Sequence, residues 1–102
     1  MNTPAALHDT LCIAPAHPCL AGHFPGRALV PGVLLLDALA ALLARHDLAV
    51  VEVLEAKFHT PLAPAQTVTL AIIPGVAAAP WRFEISGAAR LIASGRLRTQ
   101  PA

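Results

Sequence analysis

An α+β fold, in which an antiparallel sheet wraps around one long central apolar helix, is predicted by three features of this sequence. Residues 33–45 read Val-Leu-Leu-Leu-Asp-Ala-Leu-Ala-Ala-Leu-Leu-Ala-Arg, so Asp37 alone is polar between Val33 and Arg45. A helix that is apolar all round has to be covered on every side. The segments that follow are β-branched or alternate with period two, and the breaks between them carry Pro or Gly. One early helix and a later run of strands give α+β, and a sheet wrapped around the helix is the arrangement that covers it. Finally, 102 residues bound a single domain, here residues 1–102, at the small end of what buries an adequate core alone.

The elements follow in order. Residues 1–6 read as a frayed terminus, and residues 7–14 as a first strand with Leu11 and Ile13 apolar on one face. Residues 15–31 hold four prolines and two glycines and form an irregular but constrained loop. The helix runs from about Gly32 to His46. Residues 49–59 are β-branched and partly alternating, hence strand. Residues 61–66 turn, residues 67–73 form the next strand, and residues 74–80 loop. Trp81, Phe83 and Ile85 alternate with Arg82, Glu84 and Ser86, the pattern of a half-buried strand. A turn within residues 87–90 leads into a last strand ending near Arg98.

Composition narrows the function classes. With 56% apolar and 13% charged residues, the chain is more hydrophobic than an average domain, so part of its apolar surface is expected to be covered by another subunit. A formal net charge of +1 and the lack of a basic run interleaved with aromatics argue against nucleic acid as a partner. Residues 1–20 have no basic n-region and contain His8, Asp9, His17 and three prolines, which speaks against a secretory signal. The apolar run of residues 28–44 is shorter than a bilayer span, has Pro31-Gly32 near its start and Asp37 inside, and is not read as transmembrane. Cys12 and Cys19 match no common zinc or thioredoxin spacing and are expected to be free thiols. These features together predict a cytoplasmic protein.

The most informative stretch is residues 23–37, His-Phe-Pro-Gly-Arg-Ala-Leu-Val-Pro-Gly-Val-Leu-Leu-Leu-Asp. Two Pro-Gly pairs give the loop a defined path, because proline fixes φ and glycine reaches conformations closed to other residues. A carboxylate in an apolar helix, Asp37, needs a partner or a role. This stretch resembles the signature of the FabA/FabZ-type 3-hydroxyacyl-acyl-carrier-protein dehydratases, a branch of the hotdog-fold superfamily. That family has a His-Phe-x-Gly loop, a Pro-Gly, and a helical Asp or Glu fourteen residues after the histidine, the spacing of His23 and Asp37. Residues 57–64, Lys-Phe-His-Thr-Pro-Leu-Ala-Pro, are similar to its Lys-Phe-x-x-Pro-Val-x-Pro segment, and residues 90–98 fit its final strand more loosely. In starting later than the larger dehydratases, the chain looks more like the compact relatives of aryl-polyene or polyketide-like clusters.

The resemblance implies a hotdog fold and the loss of water from (3R)-3-hydroxyacyl thioesters, with no metal and no diffusible cofactor. His23 would be the base that takes the C2 proton, a task suited to an imidazole titrating near neutrality. Without its motif, His23 would read as a loop histidine bonded to backbone. His8, His17, His46 and His59 have no such context. Asp37 would protonate the departing hydroxyl, directly or through water, and burial among Val33, Leu34, Ala40 and Ala41 would raise its pKa as that role requires. It lies past the capping positions, although a structural carboxylate bonded to the loop remains open. Gly32 would offer a helix-start N–H to the thioester oxygen, which gains charge in the transition state. A plain helix-start glycine is the alternative. Phe24, Pro25, Gly26, Val30, Pro31 and Val33 are implied as substrate-binding.

Two positions depart from the family pattern. Ala28 stands where proline is usual, which loosens the loop that positions His23, and Ala41 stands where glutamine is frequent, one helical turn after Asp37. The partner implied is an acyl carrier protein or coenzyme A bearing the thioester, and Arg27, Lys57, Arg82, Arg90, Arg96 and Arg98 are the cations available to an acidic carrier. A homodimer with shared active sites is also implied. A hotdog thioesterase and a non-catalytic acyl-binding hotdog protein are the competing readings.

Overall fold

The computed structural model describes residues 6–12, 30, 32–63 and 65–102. Strand β1 (Leu7–Cys12) is followed by helix α1 (Gly32–Ala44) and strands β2 (Leu48–Phe58), β3 (Thr67–Ile73), β4 (Trp81–Gly87) and β5 (Arg90–Pro101). The strands form one antiparallel sheet in the order β1-β3-β4-β5-β2, so the helix connects the two edge strands. This is the expected α+β architecture.

The core lies between α1 and the inner face of the sheet. Val68, Leu70 and Ile72 of β3, Phe83 and Ile85 of β4, and Ala93 and Leu97 of β5 are buried there. Against them α1 sets Leu35, Leu39, Leu42 and Leu43. Spacings of four, three and one residues place these leucines on one stripe, and each buried leucine contributes about 2 kcal/mol. The opposite stripe, Val33, Asp37, Ala40, Ala41 and Ala44, is exposed. The sheet therefore covers one side of the helix. Asp37 does not lie buried among Val33, Leu34, Ala40 and Ala41 as expected, because its side chain projects from the face that the sheet leaves open.

Other boundaries shift for local reasons. The helix stops at Ala44, two residues early. The His46 N–H donates to the Leu43 carbonyl at 2.9 Å and the Asp47 N–H to the Ala44 carbonyl at 3.1 Å, and Asp47 takes φ 59°, so the last turn tightens and ends in a left-handed residue. Strand β5 runs to Pro101 rather than Arg98, since β2 supplies paired residues back to Leu48. Of the first strand, residues 13 and 14 lie outside the described residues. Arg45, in the turn after α1, pairs with Asp9 of β1 and ties the helix end to the far edge of the sheet. That guanidinium, aided by the Thr10 N–H, holds the Asp9 carboxyl below its ordinary pKa.

Strand β2 carries two register shifts against β5, between Val50 and Glu52 and between Val53 and Glu55. Gly95 accommodates the second of them. A side chain there would collide with the Glu55 carbonyl and meet the Phe83 ring at 2.6 Å, so the bare backbone lets the bulged strand and the core ring close together.

The β4–β5 hairpin is turned by Ala88 and Ala89 at φ 49° and 60°. Two positive φ values in a two-residue loop define the turn that Asn-Gly serves best, and alanine there carries about 1 kcal/mol of strain per residue. The double substitution Ala88→Asn/Ala89→Gly is therefore expected to stabilise the fold by about 1–2 kcal/mol, raising the unfolding midpoint by roughly 4–8 °C per kcal/mol. Thermal denaturation at fixed protein concentration measures this, and an unchanged or lower midpoint would show that the turn is unstrained.

Candidate active site

The start of α1 is held from two sides. The Val30 N–H donates to the Leu62 carbonyl at 2.7 Å, which fastens the residues before the helix to the 60–66 turn. Val30 itself is buried. On the other side lies Phe58, the last residue of β2. A Cβ on Gly32 would sit 2.6 Å from its Cζ and 2.8 Å from its Cε1. Only a glycine permits that approach, so the bare backbone expected to face a ligand is also what allows an aromatic ring to lie on the first helical turn. The first N–H groups of a helix have no acceptor within it and carry its positive end, so this turn favours an oxygen that gains negative charge.

One turn along, Val33 and Asp37 share the exposed stripe of α1, and Ala41 follows Asp37 by a further turn. The position where the family often has glutamine is thus beside the carboxylate. His23, Phe24, Pro25, Gly26 and Pro31 lie outside the described residues, as do Arg27 and Ala28. Of the proposed set, the structure sets Gly32 at the start of α1 with Val30 buried just before it, and places Val33 and Asp37 on the exposed stripe of the helix.

Beyond Phe58 the chain enters a cleft of about 540 Å³ with Leu62, Val68 and Ile92 as its apolar floor and Thr60, Gln66 and Arg90 on its rim. Leu62 thus belongs both to the cleft and to the anchor of Val30. The strand end leading there is tightly held. The His59 N–H donates to the Ile92 carbonyl at 2.8 Å, the Thr60 hydroxyl donates to the Leu91 carbonyl at 3.1 Å, and His59 Nε2 lies 2.8 Å from Ser94 Oγ. His59 is therefore a structural histidine, consistent with its lack of motif context. Arg82, Arg90, Arg96, Arg98 and Lys57 are all exposed, and Arg98 pairs with Glu52 at 3.6 Å. Cys12 is a free, exposed thiol. No helix among the described residues is long and apolar enough to cross a membrane.

Phe58 and Leu62, which lie against Gly32 and Val30, were not among the residues singled out from the sequence. Their signal was present in the Lys57-Phe58 and Pro61-Leu62 pairs of the second motif, but neither side chain has acid–base chemistry to mark it.

Comparison with known proteins converges on one family. The sequence model described as ApeI-like, ApeI dehydratase, matches residues 2–96. The 3-hydroxyacyl-[acyl-carrier-protein] dehydratase FabZ of Haemophilus influenzae is 38% identical over 64 residues, covering 52% of this chain and 43% of the relative. FabZ of Histophilus somni is 35% identical over 66 residues, 54% of this chain and 44% of the relative. The matched segment spans less than half the length of these relatives. Among solved structures, the dehydratase heterocomplex ApeI:P from Xenorhabdus doucetiae is similar at TM-score 0.77 and 23% identity, over 96% of this chain and 91% of that one. An uncharacterized protein from Erwinia carotovora subsp. atroseptica is similar at TM-score 0.77 and 24% identity, over 94% and 83%. The fluoroacetyl-CoA-specific thioesterase FlK is similar at TM-score 0.69 and 13% identity, over 97% and 86%. At such identities the structural likeness speaks to the fold, and the fold is the hotdog.

Proposed function

Since the chain belongs to the ApeI-like dehydratase family, we propose that it is a hydro-lyase acting as a single hotdog domain, converting (3R)-3-hydroxyacyl thioesters into trans-2-enoyl thioesters. The observation that carries the reading is the family match over residues 2–96, which contains the His23–Asp37 spacing and the Lys57-Phe58 segment. FabZ relatives bear the name of enzymes for acyl-carrier-protein substrates, which favours a carrier-bound thioester over a coenzyme A thioester. The exposed Lys57, Arg82, Arg90, Arg96 and Arg98, together with Arg27, supply charge complementary to an acidic carrier. The reaction requires no organelle, membrane or oxidising compartment, in keeping with a cytoplasmic enzyme of fatty-acid or polyketide-like biosynthesis.

In the proposed mechanism, His23 takes a proton from C2 and the electron pair moves toward the thioester carbonyl. The oxygen of that enolate-like species accepts a hydrogen bond from the Gly32 N–H, an interaction stronger in the transition state than in the substrate. The C3–O bond then breaks, and Asp37 protonates the departing hydroxyl so that it leaves as water. Proton transfer from His23 back to Asp37 resets the pair. Phe24, Pro25, Gly26, Val30, Pro31 and Val33 are the proposed substrate-binding residues, and the cleft floored by Leu62, Val68 and Ile92 is the proposed space for the acyl tail.

The site needs a second copy of the chain. Strand β2 is an edge of the sheet whose Val51, Val53 and Phe58 are exposed, and the Val33–Ala44 stripe of α1 is uncovered. An exposed, apolar edge strand and an apolar helix face are surfaces that a partner covers, and a two-fold dimer meets both needs. Asp37, which faces away from its own sheet, then serves the His23 of the neighbouring protomer. Sedimentation at micromolar concentration should return a dimer, and a stable folded monomer would refute the assembly.

The activity is tested by incubating the protein with a panel of 3-hydroxyacyl carriers and following them by mass spectrometry. Loss of one water is expected. Release of free acid would instead support a thioesterase, and binding without change an acyl-binding protein. His23→Ala should lower turnover by about 10²- to 10⁴-fold while leaving the unfolding midpoint and the dimer intact. Near-wild-type turnover, or simple unfolding, would remove His23 from the role of base.

Mixed dimers test the shared site. One subunit carries His23→Ala and the other Asp37→Asn, each inactive as a homodimer. If sites are composite, one site of the heterodimer inherits both lesions and the other joins intact His23 to intact Asp37. Purified heterodimer should then recover about half of wild-type activity, given independent sites. A folded, substrate-binding but silent heterodimer would place both residues in the same chain.

A further inference from the structure

Phe58 occupies an unusual position for a large apolar side chain. It is 53% exposed, yet its backbone is paired into the sheet. Phe58 pairs with Ala93 of β5, and the residues after it are hydrogen-bonded to the Leu91, Ile92 and Ser94 positions of the same strand. The ring therefore projects from an anchored strand end. One part of it lies on Gly32, at a distance that leaves no room for even a methyl group between them. The Val30–Leu62 hydrogen bond holds the chain two residues before Gly32, so the first turn of α1 is clamped between that bond and the ring.

We propose that Phe58 is a positioning residue for the dehydration, acting through Gly32. The ring holds the first turn of α1 against displacement and screens the Gly32 amide from water. An N–H in a water-poor, fixed environment stabilises a developing oxyanion more strongly than one that must first be desolvated. Because the charge on the thioester oxygen grows toward the transition state, the screening should appear in kcat rather than in KM. The bareness of Gly32 then has two linked reasons: the ring must reach the helix, and the amide must remain open to the thioester on its other side. This inference rests on the dehydratase reading above.

The test uses the full chain with a 3-hydroxydecanoyl-pantetheine thioester, so that docking of a carrier protein does not enter. Phe58→Ala is expected to lower kcat by about 10- to 100-fold with KM within about threefold of wild type, the scale on which loosened positioning acts. Phe58→Tyr, which keeps the ring, should restore kcat to within a few-fold. Gly32→Ala displaces the ring by its added methyl group, so the double variant Gly32→Ala/Phe58→Ala should lose less than the product of the two single losses. Hydrogen exchange supplies a readout independent of turnover. The Gly32 amide should exchange faster in Phe58→Ala than in wild type or Phe58→Tyr, while the amides of Leu70 and Ile85 in the core keep their rates. A Phe58→Ala protein with raised KM and unchanged kcat would make the ring a binding wall only, and an unchanged Gly32 exchange rate would refute screening. A wild-type protein that forms no enoyl product refutes the dehydratase reading itself. One that turns over, with Phe58→Ala at wild-type kcat, refutes only the role of Phe58.

Discussion

A helix with apolar side chains on every face, set against a sheet that covers one of them, is the constraint on which this structure turns. Leu35, Leu39, Leu42 and Leu43 meet the sheet and bind the two edge strands to a common core. The remaining stripe, Val33, Asp37, Ala40, Ala41 and Ala44, is exposed and has no cover among the described residues. Its residues are small apart from Val33 and Asp37, so a second element can approach the helix closely there. The carboxylate sits in the middle of a surface whose other members favour exclusion of water. One side of the helix carries the packing, and the other carries the carboxylate proposed for the chemistry.

That division places demands on the ends of the helix. At its C-terminus, the left-handed Asp47 and the Arg45–Asp9 pair turn the chain directly into β2 and fasten it to β1. At its N-terminus, Val30 is bonded to Leu62 and Gly32 lies under Phe58. The anchors come from the last residue of β2 and from the segment that follows it. The second sequence motif is therefore the support of the first, and the two form one structural unit although about twenty residues separate them. Gly95 serves the same unit from a distance. By admitting the Glu55 bulge and the Phe83 ring, it lets β2 bend so that its last residue reaches the helix start.

The exposed face of α1 and the edge strand β2 are two surfaces that the sheet core does not use. Each carries exposed apolar side chains, Val51, Val53 and Phe58 on β2 and Val33 with three alanines on α1. The chain belongs to the ApeI-like dehydratase family, and the dimer proposed above would cover both surfaces.

Much of the architecture was legible from local pattern, because it depends on period and punctuation. The alternation of Trp81, Phe83 and Ile85 specified β4 and its buried face, the apolar run after Pro31-Gly32 specified α1, and the His23–Asp37 spacing specified the family. Such signals are carried by neighbours in the chain and survive without knowledge of the fold. What local pattern could not supply was which side of α1 the sheet would take, since leucine and alanine are both apolar and only packing against β2 and β1 distinguishes them. The exposure of Asp37 follows from that choice and reverses the expectation of burial. The helix end at Ala44 and the extension of β5 to Pro101 were set by the Asp47 turn and by pairing with β2, contacts between residues far apart in sequence. The role of Phe58 was hidden for the same reason. A phenylalanine at a strand end is unremarkable in a sequence, and its meaning arises only when the fold brings it onto a glycine twenty-six residues away, where the lack of a side chain becomes a place for its ring.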